Sequence, residues 1–444
     1  MTNSGGIRLT TEMREALIQL AVDRKLKRLD GESASEVEVP ADVPDSWCRF
    51  DRHPGYRQLR ILQEGGECLG IENPYFRIHD GMAGATTRID GKEFINFSSY
   101  NYLGLSGHPV VSEAAKAAID RYGTSVSASR VVSGERLFHR ELEREIARLY
   151  GVDDAVLFVS GHATNVTTIG CLFGPNDLVL HDALIHNSVL QGIAMSKAKR
   201  VTFGHNDWGQ LDRLLADQRR RYERVLIVVE GLYSMDGDVP DLPRFIQIKQ
   251  KHRAFLMVDE AHSIGVLGGT GKGVREHFGL DGGAVDIWMG TLSKALASCG
   301  GFIAGESALI EHLRYLAPAF LYSVGMAPPV AAAALAALRY FQTDPDRVFR
   351  LQENGRRFFT LAKQAGLNTG TSQGLAVVPV ITGSSVSAVR LSEALFRQGI
   401  HVQPIIHPAV PEQAARLRFF LSSEHTEDHV RRTVEALAAE RSKG

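Results

Sequence analysis

Lys294 stands in GTLSKALASCGG (290–301), directly after the apolar run AVDIWM and among residues too small to shield or pair an ammonium group. Asp259 closes another such run, AFLMVDE (254–260), where a carboxylate at the lip of a sheet needs a cation or a donor to offset its burial. Taken alone, the lysine reads as a surface residue and the aspartate as a cap or loop ion pair. One strand apart at the same edge, they read as two parts of one site. An amine that traps an aldehyde, an acid that keeps a ring nitrogen protonated and a cradle for an anion are what pyridoxal 5′-phosphate requires. The amine must be partly neutral, so its pKa is expected to be depressed by cationic and apolar surroundings. For the phosphate, FVSGHATNVTTIG (158–170) offers a strand, then Ser160, Gly161 and His162, then the N-terminus of a helix. Thr291, three residues before the lysine, adds a hydroxyl.

The elements that must position these residues follow from the pattern of apolar runs. AVLFVS, DLVLHD, RVLIVVE, AFLMVDE and AVDIWMG are short and continuously apolar, and helical segments such as EAAKAAIDRYG and HRELEREIARLYG separate them. Runs without period-two alternation predict a mostly parallel sheet covered on both faces, hence a three-layer α/β domain. Ligands in such sheets bind outside the carboxyl ends of the strands. Those ends carry Ser160 to His162, Asp182 to His186, Glu230, Asp259 to His262 and Thr291 to Lys294. Gly151 reads as a helix stop and Asp90-Gly91 as a hairpin turn. Three parts are expected: 1–73, a helix over 10–29 with a proline- and acid-rich linker over 31–56; 74–325, the large domain; and 326–444, an α+β domain. In the last, GLAVVPVIT, HVQPI and ARLRFFLS read as strands, and a final helix starts at 426.

Composition excludes several other classes. In 444 residues, 50 basic and 51 acidic side chains leave a formal net charge of −1, so no global field attracts nucleic acid or an anionic membrane. The cysteines Cys48, Cys68, Cys171 and Cys299 form no CxxC pair, which argues against a zinc site and a disulfide framework and fits a cytoplasmic protein. There is no secretory signal pattern and no apolar run long enough to span a bilayer. GVLGGTGKGV resembles a nucleotide loop, but Val266 stands where the first glycine belongs and Gly273 follows Lys272 instead of Ser or Thr. Its glycines read as a flexible turn beside the site.

The ordered segments NYLGLSGHP, ASRVVSGERLFHRELE, LFVSGHATN, HDALIHNSVLQG, VVEGLYSMDGDVPDL, VDEAHSIGVLGGTGKG, GTLSKALASCGGFIAG and PAVPEQAARLRFFLSSEHT resemble the α-oxoamine synthase family over roughly 74–440. The resemblance implies a fold-type I transferase that uses pyridoxal 5′-phosphate. It makes Lys294 the residue that bonds the cofactor, Asp259 the partner of its ring nitrogen and His262 the neighbour of its phenolic oxygen. His186 stacks on the ring, Ser234 lies near the ring oxygen, and Gly161, His162 and Thr291 hold the phosphate. Asn101 and Arg418 take the substrate carboxylate. Strand geometry alone puts Arg416 and Arg418 on one face and cannot choose between them; the resemblance favours Arg418.

By the same resemblance, the activity is a decarboxylative Claisen condensation of glycine, alanine or serine with an acyl thioester on coenzyme A or an acyl carrier protein, giving an α-amino ketone. A homodimer is implied, with Ser323 of LYSVGMAPP reaching the neighbouring phosphate. The N-terminal extension resembles those of synthases that release chains from carrier proteins, and a dimer-stabilising arm fits it equally. Two other readings stay open: a different fold-type I enzyme, an aminotransferase or lyase, and a silent partner subunit of a heteromeric synthase. Retention of Lys294, Asp259, His186 and His262 weighs against the silent subunit.

Overall fold

A computed structural model describes residues 42–68, 70 and 72–441. The chain divides into two compact units between Gly70 and Ile71. In the first unit a one-turn helix, Asp45–Cys48, and a 3-10 turn, Phe50–Arg52, precede α1 (Pro54–Cys68). Proline at the first helical position forfeits no hydrogen bond, which explains why α1 starts inside the stretch expected to be linker. The helix expected over 10–29 lies outside the described residues.

Among the described residues, the second unit holds the thirteen strands β1 (Thr86–Ile89), β2 (Lys92–Asn96), β3 (Asp154–Phe158), β4 (Leu178–Asp182), β5 (Lys199–Phe203), β6 (Val225–Glu230), β7 (Phe255–Asp259), β8 (Ile287–Thr291), β9 (Gly301–Gly305), β10 (Val377–Ile381), β11 (Ile400–His401), β12 (Pro404–Ile405) and β13 (Arg416–Phe420). The main sheet has seven strands in the order β3-β9-β8-β7-β6-β4-β5. Strands β5, β4, β6, β7 and β8 run parallel, as the apolar runs predict, whereas β9 is antiparallel to both β8 and β3. The connection 292–300 is too short for a crossover helix, so the chain must turn straight back. That tight return is the segment that carries Lys294. Along β6, Val225, Ile227 and Val229 enter one buried cluster while Leu226 and Val228 enter another, so the sheet is apolar on both faces.

Helices α2 (Pro109–Tyr122), α3 (Leu137–Tyr150), α4 (Gly161–Leu172) and α5 (Asn187–Ser196) belong to this layered unit, with the alanine-rich α6 (Pro328–Phe341) packed on α2 and α3. Gly151 ends α3 in the left-handed conformation at φ 64°, and Asp90-Gly91 turns β1 into β2 at φ 49° and 75°. Two three-stranded sheets complete the unit, β1-β2-β11 and β10-β13-β12. HVQPI, expected as one strand, is divided between them: β11 runs parallel to β2, and β12 pairs antiparallel with β13. Pro404 cannot donate to a ladder, which suits it to the edge position that β12 occupies.

One close approach sets the position of α4. A Cβ on Gly301 would lie 2.5 Å from Thr164 Oγ1 and 2.8 Å from the Cα of Gly161, and one on Gly161 would lie 2.9 Å from Thr291 Oγ1. Only glycine at both positions lets the start of α4 sit against the β8–β9 return. Gly301→Ala is therefore expected to destabilise the protein by roughly 1–3 kcal/mol in denaturant unfolding, with weaker retention of the cofactor on dialysis.

Candidate active site

The carboxyl ends of β4, β6, β7 and β8 bring Asp182, Glu230, Asp259 and Thr291 to one edge, and Glu230 stands directly opposite Asp259 in the parallel register. Asp259 is 4% exposed; its Oδ2 accepts from Asn165 Nδ2 at 2.9 Å and its Oδ1 from the Ala261 N–H at 3.0 Å. Asn165 comes from α4 and also donates to Ser188 Oγ at 2.9 Å, and that hydroxyl lies 2.7 Å from His186 Nδ1. His186 is the N-cap of α5, and burial, with a contribution from nearby Lys294, His162 and Arg418, lowers its pKa. His162 sits edge-on to it, ring centroids 6.5 Å apart.

Lys294 projects from the β8–β9 return. Burial pulls its pKa down to about 8 and Arg418 adds to the shift, while Asp259 and Glu230 oppose it. The depressed amine expected from the sequence is present, and its main cause is desolvation. The ammonium lies 5.6 Å from the ring centroid of Tyr100. His262 is buried against Tyr102, Oη to Nδ1 2.7 Å, and burial together with Lys294 and Arg418 holds it neutral. The small residues around the lysine divide: Ala297 and Ser298 line the open cavity, whereas Ala295 is fully buried behind it, where it fills the space beside Gly265. Ala295 therefore leaves no room for a ligand.

Ser160 caps α4, its Oγ accepting from the Ala163 N–H at 3.3 Å, and Thr164 N makes the first helical bond to Ser160 O. The N–H groups of Gly161 and His162 are left without helical partners, as an anion cradle requires. Thr291 Oγ1 donates to Gly300 O at 2.9 Å and accepts from Ser293 N–H at 3.2 Å. Ser293 lines the cavity beside Lys294, a candidate contact that stood inside GTLSKALASCGG. An amine, a hydrogen-bonded carboxylate and a glycine-bared helix terminus at one edge fit pyridoxal 5′-phosphate.

Arg416 and Arg418 differ in their bonds. Arg416 is consumed by Asp236 at 2.7 Å and by the carbonyls of Met235 and Ala414. Arg418 donates Nη1 to Ser234 O at 3.1 Å, and its buried Nε has no partner among the described residues. Asn101 is largely committed: Nδ2 donates to Ala83 O at 2.8 Å, and Oδ1 accepts from the N–H groups of Leu105 and Ser106. Ser323 stands apart from this cluster on the segment after Pro318–Leu321, with its hydroxyl donating to Val324 O at 3.3 Å. The glycine-rich turn is closed by its own bonds, Glu276 accepting from Thr270 and Lys272 N–H and Gln352 bracing Val266 and Gly268. It is pinned rather than flexible, and its donors are spent on a carboxylate.

Four supporting groups were given no role by the sequence. His205 bridges Asp182 at 2.9 Å and Asp238 at 2.8 Å, and the two carboxylates raise its pKa to about 10 against the cost of burial, so it stays charged and ties together the loops that bear His186 and Ser234. Tyr102 and Asn165, described above, fix His262 and Asp259. Glu230 is the least expected: fully buried, with Oε2 accepting from Ser234 N–H at 3.1 Å and Oε1 without a partner among the described residues. Burial, then Asp259, pushes its pKa up to about 8.

The aminotransferase class I and II model matches residues 92–437. An 8-amino-7-oxononanoate synthase of Fervidobacterium nodosum is 38% identical over 374 residues, 83% of this chain and 94% of its own. That of Symbiobacterium thermophilum is 41% identical over 351 residues, 79% and 88%. Among solved structures, a serine palmitoyltransferase of Sphingomonas wittichii superposes with a TM-score of 0.84 at 29% identity, covering 88% of this chain and 98% of that one. The 8-amino-7-oxononanoate synthase from Francisella tularensis gives 0.70 at 28% identity, over 79% and 98%.

A raised carboxyl pKa means that the folded protein holds a proton the unfolded chain has lost, so Glu230 costs stability as pH rises from about 4.5 to about 8. Glu230→Gln should flatten that slope, by up to roughly 1.4 kcal/mol per pH unit, in unfolding curves recorded across the window.

Proposed function

The chain belongs to the α-oxoamine synthase family of pyridoxal 5′-phosphate enzymes, and within it we propose that it condenses glycine, alanine or serine with an acyl thioester, releasing carbon dioxide and a free thiol and leaving an α-amino ketone. The observation that carries this reading is the buried amine of Lys294, its pKa lowered to about 8 and set at one edge with Asp259 and the bared N-terminus of α4. The relatives support it by name: one set denotes an amino ketone product, the other a palmitoyl transfer to serine.

When bound, pyridoxal 5′-phosphate supplies an aldehyde that takes up amines and a ring that accepts the electron pair left on an amino acid's α-carbon. Ser160, Gly161, His162 and Thr291 would hold its phosphate, Asp259 its ring nitrogen, and His186, Ser234 and His262 its ring. Arg418 grips the substrate carboxylate through its unpartnered Nε, and Asn101, one amide hydrogen still unassigned, completes the grip. This grip sets which α-carbon bond is turned toward the electron sink. Lys294 Nζ, neutral in a useful fraction near neutral pH, removes the α-proton and returns one after decarboxylation. His262, kept neutral, offers a hydrogen-bonding ring there without adding a positive charge beside Lys294.

A homodimer accompanies this reading, with Ser323 serving the neighbouring site. Its support is the run of exposed apolar side chains Tyr322, Val324, Val131 and Val132. The acyl group arrives on coenzyme A or a carrier protein, and the free state of Cys48, Cys171 and Cys299 suits a cytoplasmic setting. An aminotransferase would instead release a keto acid without consuming thioester.

Lys294→Ala should lose the cofactor's visible absorption band and at least roughly a thousandfold in kcat. Arg418→Ala should raise the KM for the amino acid by about tenfold or more, whereas Arg416→Ala should lower thermal stability with a smaller effect on KM. Thiol release measured with the same acyl group on coenzyme A and on a carrier protein, for each of the three amino acids, identifies the substrates.

A further inference from the structure

A cavity of about 470 Å³ opens beside Lys294 and Tyr100 and continues to His79, Thr87, His401 and Gln403. Its far end is polar, which an acyl pocket for a plain hydrocarbon would not be. His401 is 1% exposed, and neither of its ring nitrogens has a partner among the described residues. Gln403 donates Nε2 to Pro74 O at 3.2 Å, and its buried Oε1 is likewise unpartnered. His79 packs edge-on against His401, ring centroids 4.9 Å apart, and its Nδ1 is bonded to Thr87 Oγ1 at 2.9 Å. A buried imidazole without a partner costs free energy that a ligand's polar group would recover.

The chemistry of these atoms narrows what the ligand carries. Burial lowers the pKa of His401 to about 4, so at neutral pH it presents one N–H and one lone pair, and Gln403 adds a second acceptor. Arg77 contributes to that shift, but it lies over the Phe396 ring at 3.4 Å among Glu72, Asp90 and Glu393 and does not line the cavity. One donor and two acceptors, without a net charge, match a group that both donates and accepts. A carboxylate only accepts and would leave both acceptors facing its charge. An alkyl terminus would satisfy none of the three.

Resting on the condensation proposed above, we infer that this cavity selects an acyl donor whose chain bears a hydroxyl group, held by His401 and Gln403 at the end away from Lys294. The test uses the holoenzyme and two series of coenzyme A derivatives of six to twelve carbons with terminal hydroxyl, methyl or carboxylate groups: thioesters for turnover and unreactive thioethers for binding. Wild type should favour the hydroxylated member of its best length by roughly tenfold over the methyl one, in both kcat/KM and thioether affinity. His401→Phe should bring that ratio to within about twofold, and His401→Gln, which keeps a donor and an acceptor, should restore much of it. Equal affinities in wild type, saturation by neither thioether, a preference for the carboxylate, or a hydroxyl preference untouched in His401→Phe would each overturn the inference. Thioether discrimination without thiol release from any thioester would instead sink the condensation and leave the cavity assignment standing.

Discussion

Two carboxyl groups and an amine, withdrawn from water at the ends of neighbouring strands, are the constraint to which the remaining active-site residues answer. Asp259 is retained there by Asn165 and a backbone N–H. Glu230, one strand away, is forced toward its neutral form, and Lys294 toward partial neutrality. Each shift has burial as its first cause, so the reactivity of the amine follows from where the sheet ends more than from any single partner. The charged His205 between Asp182 and Asp238 closes the same network from behind.

Such an arrangement demands a rigid frame, because a buried charge displaced from its partners is expensive. The frame is the parallel strands, whose register puts Glu230 opposite Asp259, together with the antiparallel return that brings Lys294 back over them. The glycine contact between α4 and that return fixes the anion cradle relative to the amine. The polar groups beyond Lys294 have a different character: the His401 ring and the Gln403 side-chain carbonyl are uncharged and without partners among the described residues, suited to reading a substrate instead of activating one.

Much of this frame was legible in the sequence because continuous apolar runs and the residues that end them are local signals. Asp259, Lys294, the helix start after Ser160, the Gly151 stop and the Asp90-Gly91 turn all fall where spacing puts them. The antiparallel β9 was not legible, since GFIAG is short, glycine-rich and separated from β8 by a return whose direction depends on the whole sheet. The division of HVQPI between two sheets depends on partners three hundred residues upstream for β11 and a dozen downstream for β12. Tyr102 and Asn165 were overlooked as site supports, and Glu230 was placed at the edge without a role, because what these residues do arises from tertiary contact. The glycine-rich turn shows the converse: glycines read as flexible are held by Glu276 and Gln352.

The pairing of β2 with β11 has a bearing on how the protein is made. On the edge of β2 that faces away from β1, Ile95 and Asn96 pair with Ile400 and His401, and Phe97 N–H bonds to the His401 carbonyl. On the ribosome the seven strands of the main sheet are all available long before that partner emerges. The hairpin of β1 and β2 must therefore wait, one edge unpaired, until nearly the whole chain has been synthesised. The catalytic edge can form early, while the wall that carries His401 is among the last pieces of the molecule to arrive.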